Sequence, residues 1–192
     1  MFLKRQNPHG LAVSMAGAKM GDRLLQVGCA HGGRLGAVAV KVGLSGRAAA
    51  VVPDEASADR ARKGGAEAGV LVDVEIAPPS RLPHDAGAFD LVVADDTGGL
   101  FGTMRPEDRA AAVREMVRVL RPGGRVVMIG AGPRAGLGAI LSRGPNAPSF
   151  VSSGAVAALE ADGFRSARII GEREGLAFVE AIKPRDAARR EA

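Results

Sequence analysis

The sequence predicts an α/β fold in which a doubly wound, mostly parallel sheet of seven strands lies between two helical layers, as a three-layer sandwich. Short apolar runs alternate with segments of helical periodicity along nearly all of the 192 residues, which is typical of βα units. A glycine-rich turn joins the first apolar run to a helix. The last two apolar runs are joined by the short segment 171–175, which predicts a C-terminal antiparallel hairpin.

The expected strands are short and rich in Val, Leu, Ile and Ala, as buried parallel strands require. Most of these runs are bounded by glycine, proline or acidic turn residues, which supports their assignment as separate strands. The strands are expected at residues 24–27, 48–52, 70–76, 89–94, 125–130, 164–170 and 176–182.

Capping residues mark the helix boundaries. A short helix over 11–20 is expected to cap the sheet, and a second helix follows the glycine turn and ends at Gly43. Asp54 is expected to cap the third helix, which stops at Gly69. Pro106 is expected at the first position of the fourth helix, where its missing N–H costs nothing.

The region after the fifth strand is the least regular part of the sequence. Residues 131–148 are rich in Gly, Pro and Arg, so they are expected as a substrate-side loop with a short helix around 137–141, or as a mobile lid. Ser152 or Ser153 is expected to cap the last helix, which ends at Gly163.

Length and charge indicate one domain over 1–183, followed by a charged, frayed tail over 184–192. The net charge of +5 is spread along the chain. Because no aromatic side chains are interleaved with a basic stripe, a nucleic-acid surface is not indicated.

Cysteine and histidine usage limits the possible chemistry. Cys29 is the single cysteine, which excludes an internal disulfide and a cysteine-based zinc site. The three histidines lack metal-ligand spacing, so no metal is expected. No stretch reaches transmembrane length and no signal-peptide pattern opens the sequence, so a cytoplasmic protein is expected.

The turn over 28–33 leaves several interpretations open. A strand, glycine turn and helix open the Rossmann-like nucleotide-binding folds. Read as Gly28-x-Ala30-x-x-Gly33, the turn fits a dinucleotide pattern and an oxidoreductase. It could also be a tight connection that binds no ligand. Read as L-x-V-G-C-x-x-G, it is similar to the first motif of a methyltransferase family.

That family is the class I S-adenosylmethionine-dependent methyltransferases, and the chain most resembles their small ubiquinone/menaquinone-biosynthesis type. Four segments carry the resemblance in order, and V-L-R-P-G-G-R-V within the third is the most specific of their motifs. They are LLQVGCAHG (24–32), LPHDAGAFDLVVADD (82–96), MVRVLRPGGRVVMIG (116–130) and the terminal helix with its hairpin (159–182).

The resemblance implies where S-adenosylmethionine would bind. It would lie across the carboxyl ends of the first four strands, with its methionine part against the glycine turn and its ribose at the end of the second strand. The residues that the resemblance places in this cofactor site are Gln26, Gly28, Cys29, Ala30, Gly32, Val52, Asp54, Pro78, Ala94 and Asp95.

The chain departs from the family pattern at its polar anchors. The family usually has acids where Gln26, Val52 or Pro53, and Pro78 stand here, and Ala30 replaces a glycine. Asp54 lies one or two places beyond the usual ribose acid and could substitute for it. Three lost charge-assisted partners, each contributing roughly 1–3 kcal/mol, would weaken cofactor binding by several orders of magnitude.

Methyl transfer to a hydroxyl or an acidic carbon is helped by a base. The candidates are His31 in the glycine turn and Asp95 and Asp96 after the fourth strand. The first hypothesis is therefore S-adenosylmethionine-dependent methyl transfer to a small-molecule acceptor. The acceptor pocket would be built from 1–20, 95–105 and 131–150, and a homodimer or a partner protein could complete it.

The second hypothesis is a catalytically silent methyltransferase-like fold that acts as an interaction or regulatory subunit. The replaced acids favour it, whereas the retained glycines of the first motif favour the enzyme. A different nucleotide-binding function, including an oxidoreductase, is the third alternative.

Overall fold

The computed structural model describes residues 8–132 and 149–185. The strands are β1 (Arg23–Val27), β2 (Arg47–Val52), β3 (Asp73–Ile76), β4 (Phe89–Asp96), β5 (Leu120–Ala131), β6 (Arg165–Arg173) and β7 (Leu176–Ile182). The α-helices are α1 (Gly10–Ala16), α2 (Gly32–Ala39), α3 (Glu55–Ala68), α4 (Pro106–Val119), α5 (Phe150–Ser153) and α6 (Ala155–Ala161). A 3-10 turn over Val40–Val42 extends α2.

The strands form one seven-stranded sheet in the order β3-β2-β1-β4-β5-β7-β6. Strands β1 to β5 pair in parallel, and β7 is antiparallel to both β5 and β6. The predicted sheet and C-terminal hairpin are therefore confirmed. The hairpin turn is tighter than expected, because β6 continues to Arg173 and only Glu174 and Gly175, both with positive φ, connect the strands.

Helices cover both faces of the sheet, as the sandwich requires. Buried side chains of α4, α5 and α6 pack with one face of the sheet in the largest apolar cluster. Side chains of α1, α2 and α3 pack on the other face. No helix within the two described ranges is long and apolar enough to cross a membrane.

Several helix boundaries follow the sequence. The side chain of Asp54 accepts a hydrogen bond from the N–H of Ser57 at 2.7 Å, which confirms the predicted cap. Gly69 ends α3 in the left-handed conformation, and Pro106 opens α4. The first helix ends at Ala16 rather than at residue 20, because Gly17 adopts the left-handed conformation.

Other boundaries differ from the prediction. The cap expected at Ser152 or Ser153 was wrong, because Ser149 caps the helical segment and Ser152 supplies the N–H. The third strand begins only at Asp73, since the N–H of Val70 bonds to the carbonyl of Gly65 and completes the end of α3. Residues 137–141 and 186–192 lie outside the described residues, and the single domain over 1–183 stays a prediction.

Glycines bring α2 and α3 into backbone contact. A Cβ built on Gly32 would lie 2.0 Å from the carbonyl oxygen of Arg60, and one on Gly36 would lie 2.3 Å from that of Gly64. There is no room for a side chain at Gly64 either, because its Cβ would lie 2.0 Å from the carbonyl oxygen of Gly32. The start of α2 is therefore set by close packing against α3.

We expect Gly36→Ala to lower the free energy of unfolding by about 1–3 kcal/mol, because the added methyl must separate two backbones. Gly10→Ala is the matched control, since a Cβ at that helical position meets nothing within 4 Å. Urea unfolding of both variants measures the effect. Equal stability of Gly36→Ala and the wild type would contradict the close packing of α2 on α3.

Candidate functional site

The carboxyl ends of β1, β2 and β4 surround a cavity of about 260 Å³. The cavity lies where the strand order reverses between β1 and β4, which is the ligand-binding position of doubly wound sheets. It is lined by Cys29, Ala30, Pro53, Asp54, Ser57, Arg60, Asp95, Gly98, Leu100 and Thr103.

The glycine turn forms one wall of the cavity. Gly28 has a φ of +79°, and its N–H donates to the carbonyl of Val51 at 2.8 Å. A Cβ on Gly28 would lie 2.9 Å from the carbonyl oxygen of Asp95 and 2.7 Å from Cδ2 of Leu100. The loop after β4 therefore packs directly on the backbone of the turn, and Leu100 narrows the cavity there.

Asp95 joins the turn, α2 and the loop after β4. Its Oδ2 accepts the N–H of Ala30 at 3.1 Å, and its Oδ1 accepts Nη1 of Arg34 at 3.0 Å. Thr97 donates to Oδ1 through its N–H and its hydroxyl. The side chain of Asp95 is 1% exposed and that of Arg34 is 10% exposed. The hydrogen bonds of Asp95 therefore hold the turn, α2 and the loop after β4 together.

Asp96 points to the opposite face of the sheet, because side chains alternate along β4. Its Oδ1 accepts the N–H groups of Phe101 at 2.7 Å and Gly102 at 3.4 Å. Its Oδ2 is buried and accepts no hydrogen bond from the described part of the chain. Burial raises the pKa of the Asp96 carboxyl, although the two N–H groups oppose the shift. Asp96 is thus the carboxyl with proton-accepting capacity left.

His31 lies apart from these carboxyl groups. It precedes α2 without capping it through its side chain, and its ring meets the ring of His9 edge-on, 4.8 Å between centroids. It lines a neighbouring hollow of about 240 Å³ together with Lys63 and Glu67, and this hollow shares Ala30 and Arg60 with the cavity. The structure therefore brings Asp95, but not His31, to the cavity.

Cys29 and Asp54 line the cavity as predicted, and so does Ala30. Burial raises the pKa of the Cys29 thiol to about 11, so this sulfur is not a nucleophile at neutral pH. The N–H of Ser57 lowers the pKa of the Asp54 carboxyl, which is exposed and ionised. The hydrogen bond that caps α3 uses Oδ1 of Asp54.

The other predicted cofactor residues have structural surroundings. Gln26 is buried and donates from Nε2 to the carbonyl of Gly28 at 2.9 Å, so it supports the turn from below. Gly32 packs against α3, and Val52 and Ala94 are fully buried in the core. Pro78 is exposed and does not line the cavity. Their roles in cofactor binding stay predictions.

Sequence reasoning missed the two arginines of the site. Arg60 on α3 donates from Nε to the carbonyl of Cys29 at 3.0 Å and from Nη2 to the hydroxyl of Ser57 at 2.7 Å. Arg34 on α2 pairs with Asp95. An arginine on the apolar face of a short helix, next to Leu35, was the available signal for Arg34, since such a residue needs a buried partner.

Comparison with known proteins shows the family of this chain. The sequence profile of a family described as "Methyltransferase domain" matches residues 24–124. That match covers both the glycine turn and the R-P-G-G segment over 121–124, which precedes the apolar part of β5. The chain belongs to the methyltransferase domain family, as its resemblance to the class I enzymes indicated.

Individual relatives match only part of their own length. The chain is 34% identical over 113 residues to the 27-O-demethylrifamycin SV methyltransferase of Amycolatopsis mediterranei, covering 57% of this chain and 39% of that protein. The chain spans between 30% and 39% of the length of three curated relatives that it matches.

Solved structures show the same fold. An S-adenosylmethionine-dependent methyltransferase from Aquifex aeolicus is 19% identical, with a TM-score of 0.70 over 91% of this chain and 89% of that one. The [4+2]-cyclase SpnF is 18% identical, with a TM-score of 0.65 over 93% and 81%. At such low identity these likenesses establish the architecture and not the reaction.

We expect Asp96→Asn to gain stability relative to the wild type as the pH rises from about 4 to 7. A carboxyl whose pKa is raised by folding binds its proton more tightly in the folded state than in the unfolded state. The wild type therefore loses stability as the pH rises from the pKa of the unfolded state, about 3.9, through the pKa of the folded state. Asparagine removes that loss, although its amide is itself incompletely paired.

Thermal melts at several pH values measure the difference between the two melting temperatures. Asp108→Asn is the control, since Asp108 on α4 is only half-buried and pairs with Arg105. A difference between Asp96→Asn and the wild type that does not change with pH would contradict the raised pKa of Asp96.

Proposed function

We propose that this chain is an S-adenosylmethionine-dependent methyltransferase that acts on a small-molecule acceptor. Its family membership together with the cavity at the strand-order reversal carries the proposal. A relative named for methylation of a rifamycin supports a small-molecule acceptor. The cytoplasmic location and a homodimer or partner protein stay predictions.

The residues at the cavity fit the polar groups of this cofactor. Asp54 offers an exposed carboxylate just beyond the end of β2, where a ribose diol would be bound. Cys29 and Ala30 of the glycine turn line the cavity, where the methionine part would lie. When bound, the cofactor supplies an electrophilic methyl group.

The chain contributes binding, orientation and a proton acceptor. Holding the acceptor atom in line with the methyl group supplies much of the acceleration. Asp96 stays a predicted base: burial raises its pKa and its Oδ2 accepts no hydrogen bond from residues 8–132 and 149–185, but it does not line the cavity, so it would act only on an acceptor that approaches from the other face of the sheet. Asp95 is proposed to hold the turn instead, since Arg34, Thr97 and Ala30 occupy its oxygens.

A catalytically silent subunit is the second candidate. Leu100 packs against Gly28, and the cavity of about 260 Å³ is smaller than the roughly 300–1,000 Å³ of ordinary small-ligand sites. The fold likeness to the [4+2]-cyclase SpnF also shows that this architecture is shared with a protein named for another reaction.

Calorimetric titration with S-adenosylmethionine and S-adenosylhomocysteine, with NADH as the control ligand, tests the proposal. We expect micromolar binding of the first two and no binding of NADH. The absence of both heat and thermal shift at millimolar concentrations would contradict the enzyme and favour the silent subunit. Binding of NADH alone would favour an oxidoreductase.

We expect Asp54→Asn to weaken S-adenosylmethionine binding about tenfold, because a neutral amide replaces a charge-assisted acceptor. Asparagine caps a helix about as well as aspartate, so the melting temperature should hardly change. Asp108→Asn on α4 is the charge-matched control and should bind as the wild type does. Unchanged affinity of Asp54→Asn would place the ribose elsewhere.

A further inference from the structure

The loop after β4 closes one end of the candidate cavity. Leu100 on this loop lines the cavity, and its Cδ2 would lie 2.7 Å from a Cβ built on Gly28. A second contact lies beside it, because a Cβ built on Gly98 would lie 3.2 Å from the Cβ of Ala30. The loop therefore packs on the glycine turn at two points, and the side chain of Leu100 covers the turn at Gly28.

The order of the strands places Leu100 opposite Asp54 across the cavity. Asp54 follows β2 and Leu100 follows β4, and both line the cavity. The turn residues Cys29 and Ala30 line it between them, because they follow β1, which lies between β2 and β4 in the sheet. Neighbouring strands are about 4.8 Å apart, so the ends of β2 and β4 are separated by roughly 10 Å. A ligand that is held at Asp54 and extends past the glycine turn therefore reaches Leu100.

We propose that Leu100 determines the length of ligand that the cavity accepts, because its side chain occupies the end of the cavity next to Gly28. This inference rests on the proposed function, in which the ribose is bound at Asp54 and the amino-acid part lies at the glycine turn. Adenosine ends before it meets Leu100. S-adenosylmethionine and S-adenosylhomocysteine carry an amino-acid chain on the ribose, and that chain needs the space that Leu100 fills.

The residues on either side of Leu100 hold its backbone in place. The N–H of Gly99 donates to the carbonyl of Asp96 at 2.9 Å, and the N–H of Phe101 donates to Oδ1 of Asp96 at 2.7 Å. Phe101 is fully buried in the largest apolar cluster, and Leu100 packs against that cluster. A long ligand therefore gains space by turning the side chain of Leu100 and not by lifting the loop. Turning it out exposes apolar surface to water, which opposes binding.

The test compares the binding of S-adenosylhomocysteine and adenosine to the wild type and to Leu100→Ala by calorimetry. The two ligands share the adenosine part, so only the longer one has to displace Leu100. We expect Leu100→Ala to bind S-adenosylhomocysteine about tenfold more tightly than the wild type does, because no large side chain has to be turned out. Adenosine should bind the two proteins equally.

Leu71→Ala is the matched control. Leu71 precedes β3, is 87% exposed and lines a different cavity, so its variant should bind both ligands as the wild type does. Leu100→Phe should weaken S-adenosylhomocysteine binding, because a larger side chain fills more of the same end of the cavity. If Leu100→Ala does not fold, Leu100→Val replaces it, and its shorter side chain should tighten binding by a smaller factor.

The outcomes separate this inference from the proposed function. Unchanged or weaker binding of S-adenosylhomocysteine to Leu100→Ala, or an equal gain for adenosine, would overturn the role of Leu100 and leave the methyltransferase intact. Where adenosine binds too weakly to measure, the opposite effects of Leu100→Ala and Leu100→Phe decide. Binding of S-adenosylhomocysteine to Leu100→Ala alone would support the role of Leu100 and contradict the proposed function of the wild type. Binding to neither protein would overturn both proposals.

Discussion

The buried carboxylate of Asp95 connects the parts of this molecule that make a site. It receives hydrogen bonds from the glycine turn after β1, from Arg34 on α2 and from the loop after β4. A buried charge must be paired or it destabilises the fold. The same interaction that stabilises Asp95 therefore sets the distance between the turn and the loop, and with it the width of the cavity.

Adjacent carboxyl groups at the end of β4 have different surroundings because strand side chains alternate between the two faces of the sheet. Asp95 points to the face covered by α2 and is fully paired, whereas Asp96 points to the other face and keeps one buried oxygen free of donors in the described chain. Burial raises the pKa of Asp96. Two carboxyl groups one residue apart thus have different hydrogen-bond partners and different protonation tendencies.

The glycines of the first motif serve two purposes that sequence alone does not separate. Gly28 turns the chain with a positive φ just before Cys29 and Ala30, which line the cavity, whereas Gly32 and Gly36 allow α3 to approach α2 at backbone distance. Retention of this motif is therefore compatible with a folding role as well as with ligand binding.

The sequence by itself determined the order of strands and helices, the parallel sheet with its closing hairpin and the methyltransferase family. These follow from local apolar periodicity, from caps such as Asp54 and from contiguous motifs, all of which are encoded over short stretches. Only the tertiary structure decided that Asp95 pairs with Arg34, which lies 61 positions away in sequence, and that Leu100 closes on Gly28. Such contacts depend on how distant elements pack, and no local pattern in the sequence specifies them.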